Sequence, residues 1–163
     1  MLFRSKTTPE QRDAVLARIA VTTDRAAACR AADLVVEAVP EKLELKNGLF
    51  REVAGVVSPG CVLASNTSSL SLAKVFAGVA GPGRCIGMHF FNPVPLMALL
   101  ELVRTEHTSA ATIDAVTAYA KQLGKEPILV KDSPGFASSR LGVCLGLEAI
   151  RMFESGEIGR AHV

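Results

Sequence analysis

Short apolar runs of strand length alternate along this chain with longer segments in which apolar residues recur every three or four positions. Those two patterns separate buried strands from amphipathic helices. Asp33–Val39, Cys61–Ser65, Ile86–Phe91, Leu100–Arg104 and Pro127–Lys131 read as strands, and Val21–Thr23 as a shorter one. Leu45, Leu49, Phe50 and Val53 share one face of a helix after the first long run. A further helix starts at Ser69 or Ser71. Thr108 caps another, with Ile113, Val116, Ala120 and Leu123 on one face and Gly124 as its stop. Near the start, Thr8-Pro9-Glu10-Gln11 has the form of a capping box with proline at the first helical position. That helix carries Val15, Leu16 and Ile19 and runs out near Ala20. Repeated strand–helix units predict an α/β fold, a doubly wound parallel sheet with helices on both faces. Ser133-Pro134-Gly135 interrupts the pattern, and Phe136–Phe153 reads as one long apolar helix of different character. A domain boundary is therefore expected near Ser133, dividing residues 1–132 from 133–163.

One pair of residues stands out chemically. His89 and Glu101 lie twelve positions apart, and the connection between their two strands has eight residues, two of them proline. A parallel crossover needs a dozen or more residues, so the second strand is expected to return antiparallel beside the first. That arrangement can bring the carboxylate alongside the imidazole. A histidine aimed by a carboxylate is the usual form of a general base working near neutral pH. The competing reading is a core histidine with an unrelated surface glutamate.

Composition narrows the setting. The chain has 163 residues, 49% of them hydrophobic, enough for one domain with a sizeable core. Net charge is only +2 and the cations are scattered, so neither a nucleic-acid nor a membrane patch is expected. Cys29, Cys61, Cys85 and Cys144 have no metal-ligand spacing and lie in apolar runs. They read as reduced packing residues of a cytoplasmic protein. No metal site is expected. No signal peptide is apparent, and the apolar stretch around Val94–Val103 is too short to span a bilayer.

Four blocks in order along the chain, Asp33–Lys46 (DLVVEAVPEKLELK), Leu63–Leu72 (LASNTSSLSL), Ile86–Pro95 (IGMHFFNPVP) and Lys131–Leu141 (KDSPGFASSRL), resemble the L-3-hydroxyacyl-CoA dehydrogenase family, which includes 3-hydroxybutyryl-CoA dehydrogenases. The resemblance implies oxidation of an L-3-hydroxyacyl-CoA to the 3-ketoacyl-CoA with NAD, in fatty-acid or butanoate metabolism. It also implies an acyl-CoA substrate and a homodimeric full-length protein. By this likeness His89 is the base and Glu101 its orienting carboxylate. Ser68 lies close to both substrate hydroxyl and nicotinamide. Asn92 is a nicotinamide-side contact, and Glu41 and Lys46 border the cofactor. Read without the family, Ser68 is a candidate helix cap but Ser69 is the preferred one, Asn92 forms an Asn-Pro turn, and Glu41 and Lys46 are solvated charges at a helix start. Ser139 stands where many members carry an asparagine near the substrate carbonyl; its shorter arm leaves one donor fewer. Two other readings stay open, a hydroxy-acid or sugar-acid dehydrogenase on the same scaffold and a non-catalytic relative of the crystallin type.

The glycine-rich turn that opens a dinucleotide-binding domain occurs nowhere in the chain. The resemblance places Met1 well inside the cofactor domain. The expectation is a fragment cut at both ends: a partial Rossmann-type sheet without its first strands, followed by the first helix of an all-α domain. Such a chain should bind NAD poorly by itself and be inactive, with Asp33–Val39 as an exposed edge strand and a bare apolar face on the last helix. Residues 157–163 back-translate, within codon degeneracy, to GAG ATC GGA AGA GCA CAC GTC, the opening of a common sequencing adapter joined to one preceding base. That tail is expected to be read-through from a short DNA insert, which removes His162 from the candidate ligands. Recovery of the same codons from the genomic locus would contradict this.

Overall fold

The computed structural model describes residues 8–159. Most of the tail read as adapter-derived, His162 included, lies outside the described residues. The elements are α1 (Pro9–Leu16), α2 (Arg25–Cys29), β1 (Leu34–Glu37), α3 (Leu43–Ala54), β2 (Val62–Ser65), α4 (Leu72–Val75), a 3-10 turn (Pro82–Arg84), β3 (Cys85–Phe90), β4 (Leu99–Arg104), α5 (Ala110–Gln122), β5 (Glu126–Lys131) and α6 (Ser138–Glu154).

The five strands form one sheet in the order β1-β2-β3-β4-β5. β1, β2 and β3 run parallel, β4 returns antiparallel to β3, and β5 is parallel to β4. The short Phe91–Ala98 connection forces the reversal at β4, as its length predicts. Among the described residues β1 pairs only with β2, so it is an edge strand there, and Val36 in its middle is 42% exposed.

Strand alternation divides the core between the two faces of the sheet. On one face Leu63, Cys85 and Val103 pack with Phe50 and Val53 of α3 and Leu72 and Val75 of α4. On the other, Ala64, Ile86, Met88, Leu100 and Leu102 pack with Val116 and Ala120 of α5. Each fully buried large apolar side chain contributes roughly 1.5–3 kcal/mol. α4 can approach the sheet because position 87 is glycine. A Cβ there would lie 2.6 Å from Leu72 Cδ1 and 2.9 Å from Val103 Cβ.

The capping box of α1 forms, with Gln11 N donating to Thr8 Oγ1 and Thr8 N donating to Gln11 Oε1. Val15, Leu16 and Ile19 find nothing to cover them and stay exposed. Val21–Thr23 is not a strand: it has no neighbour to pair with, and Val21 is 95% exposed. α4 starts after Ser71, not Ser69, and Ser71 makes no cap of its own. Asp132 caps it from a distance, accepting from Leu72 N, Ala73 N and Ser71 Oγ. α5 is capped by Ser109, one residue beyond the predicted Thr108, because the Thr108 hydroxyl donates instead to Cys85 O. Gly124 follows α5 with φ 69°, the left-handed stop expected of it. Cys61 and Cys85 are buried as predicted, whereas Cys144 on α6 is exposed.

α6 begins at Ser138, two residues later than the apolar pattern suggests, because Phe136 is not helical. Its φ is 48° and its ring is buried in the α3–α4 side of the core. A left-handed backbone at such a residue costs roughly 1–2 kcal/mol, which the buried ring offsets. The remainder of α6 buries no residue. Leu141, Val143, Leu145, Leu147 and Ile150 are each at least half exposed.

Candidate active site

His89 and Glu101 are direct partners across the antiparallel β3–β4 ladder, so their side chains rise from the same face of the sheet. That face also carries Gly87 and Val103, two residues away in each strand. His89 Nδ1 lies 2.7 Å from Glu101 Oε2. Glu101 is fully buried and His89 nearly so. The Phe91 ring lies 4.6 Å from the imidazole by centroids and the Phe136 ring 5.8 Å. These walls leave the ring little rotational freedom.

The Glu101 carboxylate takes four donors. Oε1 accepts from Ala137 N at 3.0 Å and Ser138 N at 2.9 Å, and Oε2 accepts from Ser138 Oγ at 2.9 Å as well as from His89. It therefore caps α6, whose residue 137 offers no side-chain cap. Burial works to raise its pKa, but the His89 imidazole and the Ser138 and Ala137 donors outweigh this and hold the carboxyl below its ordinary value. A carboxylate ionised in this way accepts the Nδ1 proton, which leaves Nε2 of a neutral His89 with a free lone pair.

A second polar cluster lies at the C-terminal ends of β1 and β2. Lys46 is buried on α3, its Nζ 2.7 Å from Glu37 Oε1, 3.1 Å from Glu41 Oε2 and 3.1 Å from Val39 O. Glu37 also accepts from Val39 N and from Ser65 Oγ. Glu41 accepts from the Thr67 hydroxyl and, at 3.2 Å, from Ser68 N. Partial burial pushes Glu41 up, but Thr67, Lys46 and Ser68 together bring it below its ordinary value. This network ties the Ser65–Leu70 loop to the end of β1. Lys46 is thus no solvated helix-start charge, whereas Glu41 remains partly exposed.

Ser68 and Asn92 are exposed, on the loops that follow β2 and β3. Neither is a helix cap; Asn92 precedes a cis peptide to Pro93 in the turn expected of that dipeptide. Asn66 Oδ1 accepts from Phe90 N, joining these two loops. Ser68 and Ser139 line one cavity of about 360 Å³ with Pro134, Gly135, Arg140 and Val143. Sequence reasoning missed Glu37, Asn66 and Ser138. Glu37 had a signal, a carboxylate two residues from Val35 inside an otherwise apolar strand. Ser138 had none.

Ligands of open α/β sheets sit beyond the carboxyl ends of the strands. There Glu41, Ser68 and Asn92 follow three adjacent parallel strands, with the His89–Glu101 pair beside them. A Rossmann-like sheet carries a buried histidine–carboxylate pair at this edge. The chain belongs to the family "3-hydroxyacyl-CoA dehydrogenase, NAD binding domain", which matches residues 2–133. It is 40% identical over 148 residues to the human mitochondrial hydroxyacyl-coenzyme A dehydrogenase, covering 91% of this chain and 47% of that protein. The crystal structure of (S)-3-hydroxybutyryl-CoA dehydrogenase PaaH1 from Ralstonia eutropha matches with TM-score 0.89 and 43% identity, over 94% of this chain and 54% of that one. FadB2 of M. tuberculosis matches with TM-score 0.87 and 42% identity, over 94% and 54% of the two chains. The chain spans about half the length of these relatives.

Proposed function

We propose that this chain is the nicotinamide-side half of an NAD-dependent L-3-hydroxyacyl-CoA dehydrogenase, in which His89 is the general base. The observation that carries the reading is the 2.7 Å contact of His89 Nδ1 with a buried, ionised Glu101. Nε2 takes the proton of the substrate's 3-hydroxyl. Glu101 fixes the tautomer and stabilises the imidazolium that forms. NAD, when bound, supplies the hydride acceptor. The residues present fit it: the exposed amide of Asn92 and hydroxyl of Ser68 match the donors and acceptors of a carboxamide, and Glu41, anchored by Lys46, offers a carboxylate oxygen to ribose hydroxyls. Ser68 and Ser139, which line one cavity, would contact the reacting end of an acyl-CoA.

The exposed apolar face of α6 is proposed to pack against further helices and, through them, a second subunit in the whole protein. Because the sequence contains no glycine-rich pyrophosphate turn, the 163-residue chain alone is proposed to bind NAD weakly and to be inactive. Among the described residues no helix is long and apolar enough to cross a membrane. The four free thiols fit a reducing compartment, and the cytoplasm is the proposed one, although the human relative is mitochondrial by name.

The test is turnover by the intact protein that contains this chain. Oxidation of 3-hydroxybutyryl-CoA with NAD, lost in His89→Asn, is the expected result. Activity on free hydroxy acids or sugar acids with none on the thioester would replace this reading with that of a different dehydrogenase.

A further inference from the structure

Glu101 has four lone-pair positions and four donors, and two of those donors share Oε2: the His89 ring and the Ser138 hydroxyl. With Ala137 N and Ser138 N on Oε1, the four donors occupy those four positions. Ser138 has no comparable claim as a structural cap, since its own backbone N–H already completes the bond to Oε1.

We infer that Ser138 is a positioning residue that sets the strength of the base: its hydroxyl competes with His89 for Glu101 Oε2, weakening the carboxylate's pull on the imidazole proton while fixing its direction. This rests on the reading of His89 and Glu101 as the catalytic pair. A carboxylate oxygen that accepts from the imidazole alone stabilises the imidazolium more strongly and makes it slower to return the proton in the reverse reaction. A second donor on the same oxygen moderates it. Because Ser138 and Ala137 start α6, the moderation operates only while the beginning of that helix is docked on β4. The base is thereby coupled to the junction between the sheet and the helix that follows it.

Other charged groups stand on the elements around the pair: Arg140 in the first turn of α6, Glu37, Glu41 and Lys46 at the ends of β1 and α3, and Asp132 after β5. A substitution at Ser138 changes none of them, which isolates the hydroxyl as the variable.

The test is NMR titration of the ring protons of His89 in the 163-residue chain, its signal assigned by loss in His89→Asn and exposed His107 serving as the internal control. Ser138→Ala is expected to raise the His89 midpoint, because Oε2 then serves the imidazole alone. Ser138→Thr, which keeps the hydroxyl, should restore the parent midpoint. If the alanine variant does not fold, Ser138→Cys carries the same expectation, its thiol being a weak donor. An unchanged or lower midpoint in the hydroxyl-less variant overturns the inference. Glu101→Gln separates the two levels. It should lower the midpoint if the pair exists. Failure of that shift sinks the pair itself, whereas its presence with no effect at Ser138 sinks only the role of the serine.

Discussion

Lys46 Nζ and Glu37 Oε1 lie 2.7 Å apart with side chains only 1% and 0% exposed, a buried ion pair between α3 and the end of β1. Ser65 Oγ and Val39 N complete the shell of Glu37. Taking two charges out of water is costly, so the pair contributes less net stability than its geometry suggests, but either charge alone would be far worse. Lys46→Met should therefore destabilise the chain by about 3–5 kcal/mol. The double variant with Glu37→Gln should recover part of that loss. Urea unfolding of the parent, the two single variants and the double variant measures both; strictly additive losses would mean that the charges do not interact.

The thiols should separate by burial. Burial pushes Cys85 up to about 11 and raises Cys61 also. The thiolate is the reactive form. Cys144, exposed on α6, should react with a thiol reagent at pH 8 in the folded chain, while Cys61 and Cys85 react only on unfolding. Rapid native labelling of Cys85 would contradict the packing of β3 against α4.

Glu101 makes stability depend on acid. Its native pKa lies below the ordinary 4.5. The bonds it accepts therefore add stability that is fully present above pH about 4.5 and is lost as pH falls through the lower native value. Between pH 7 and pH 3 the parent chain should lose more stability than Glu101→Gln, which has no proton to take up. Denaturation midpoints across that range test this, and parallel losses in the two proteins would remove Glu101 as a source of the acid sensitivity.

The boundary expected at Ser133 has a physical consequence. Phe136 fills the core and the backbone N–H groups of residues 137 and 138 donate to Glu101, so these residues serve the sheet even though they follow the break. A chain ended after Arg140 should be more soluble than the full 163 residues, because the exposed face of α6 is removed. A chain ended at Asp132 should be less stable than either, with a buried carboxylate deprived of three donors. Equal stability of the two truncations would show that the Phe136–Ser138 segment contributes little.

Period and length made the strands legible, and the short connection between them made the antiparallel return of β4 legible too. With that return came the meeting of His89 and Glu101. Features that depend on distant groups were not legible. Val21–Thr23 has strand-like residues but no strand to pair with. Ser71 is capped by Asp132, sixty-one positions away. Lys46 looks like a surface charge until the fold delivers Glu37 to it. Ser138 resembles any helix-start serine, and only the approach of β4 brings Glu101 to its hydroxyl.

The most direct test of the account is steady-state kinetics of Glu101→Gln in the intact protein proposed to contain this chain. Glutamine is nearly isosteric but can neither hold the Nδ1 proton as a charged acceptor nor stabilise the imidazolium. General acid–base catalysis contributes about 10²–10⁴-fold, so kcat should fall by roughly a hundredfold or more, with KM for the thioester changing only a few-fold. An unchanged kcat would contradict the assignment of His89 and Glu101 as the working pair.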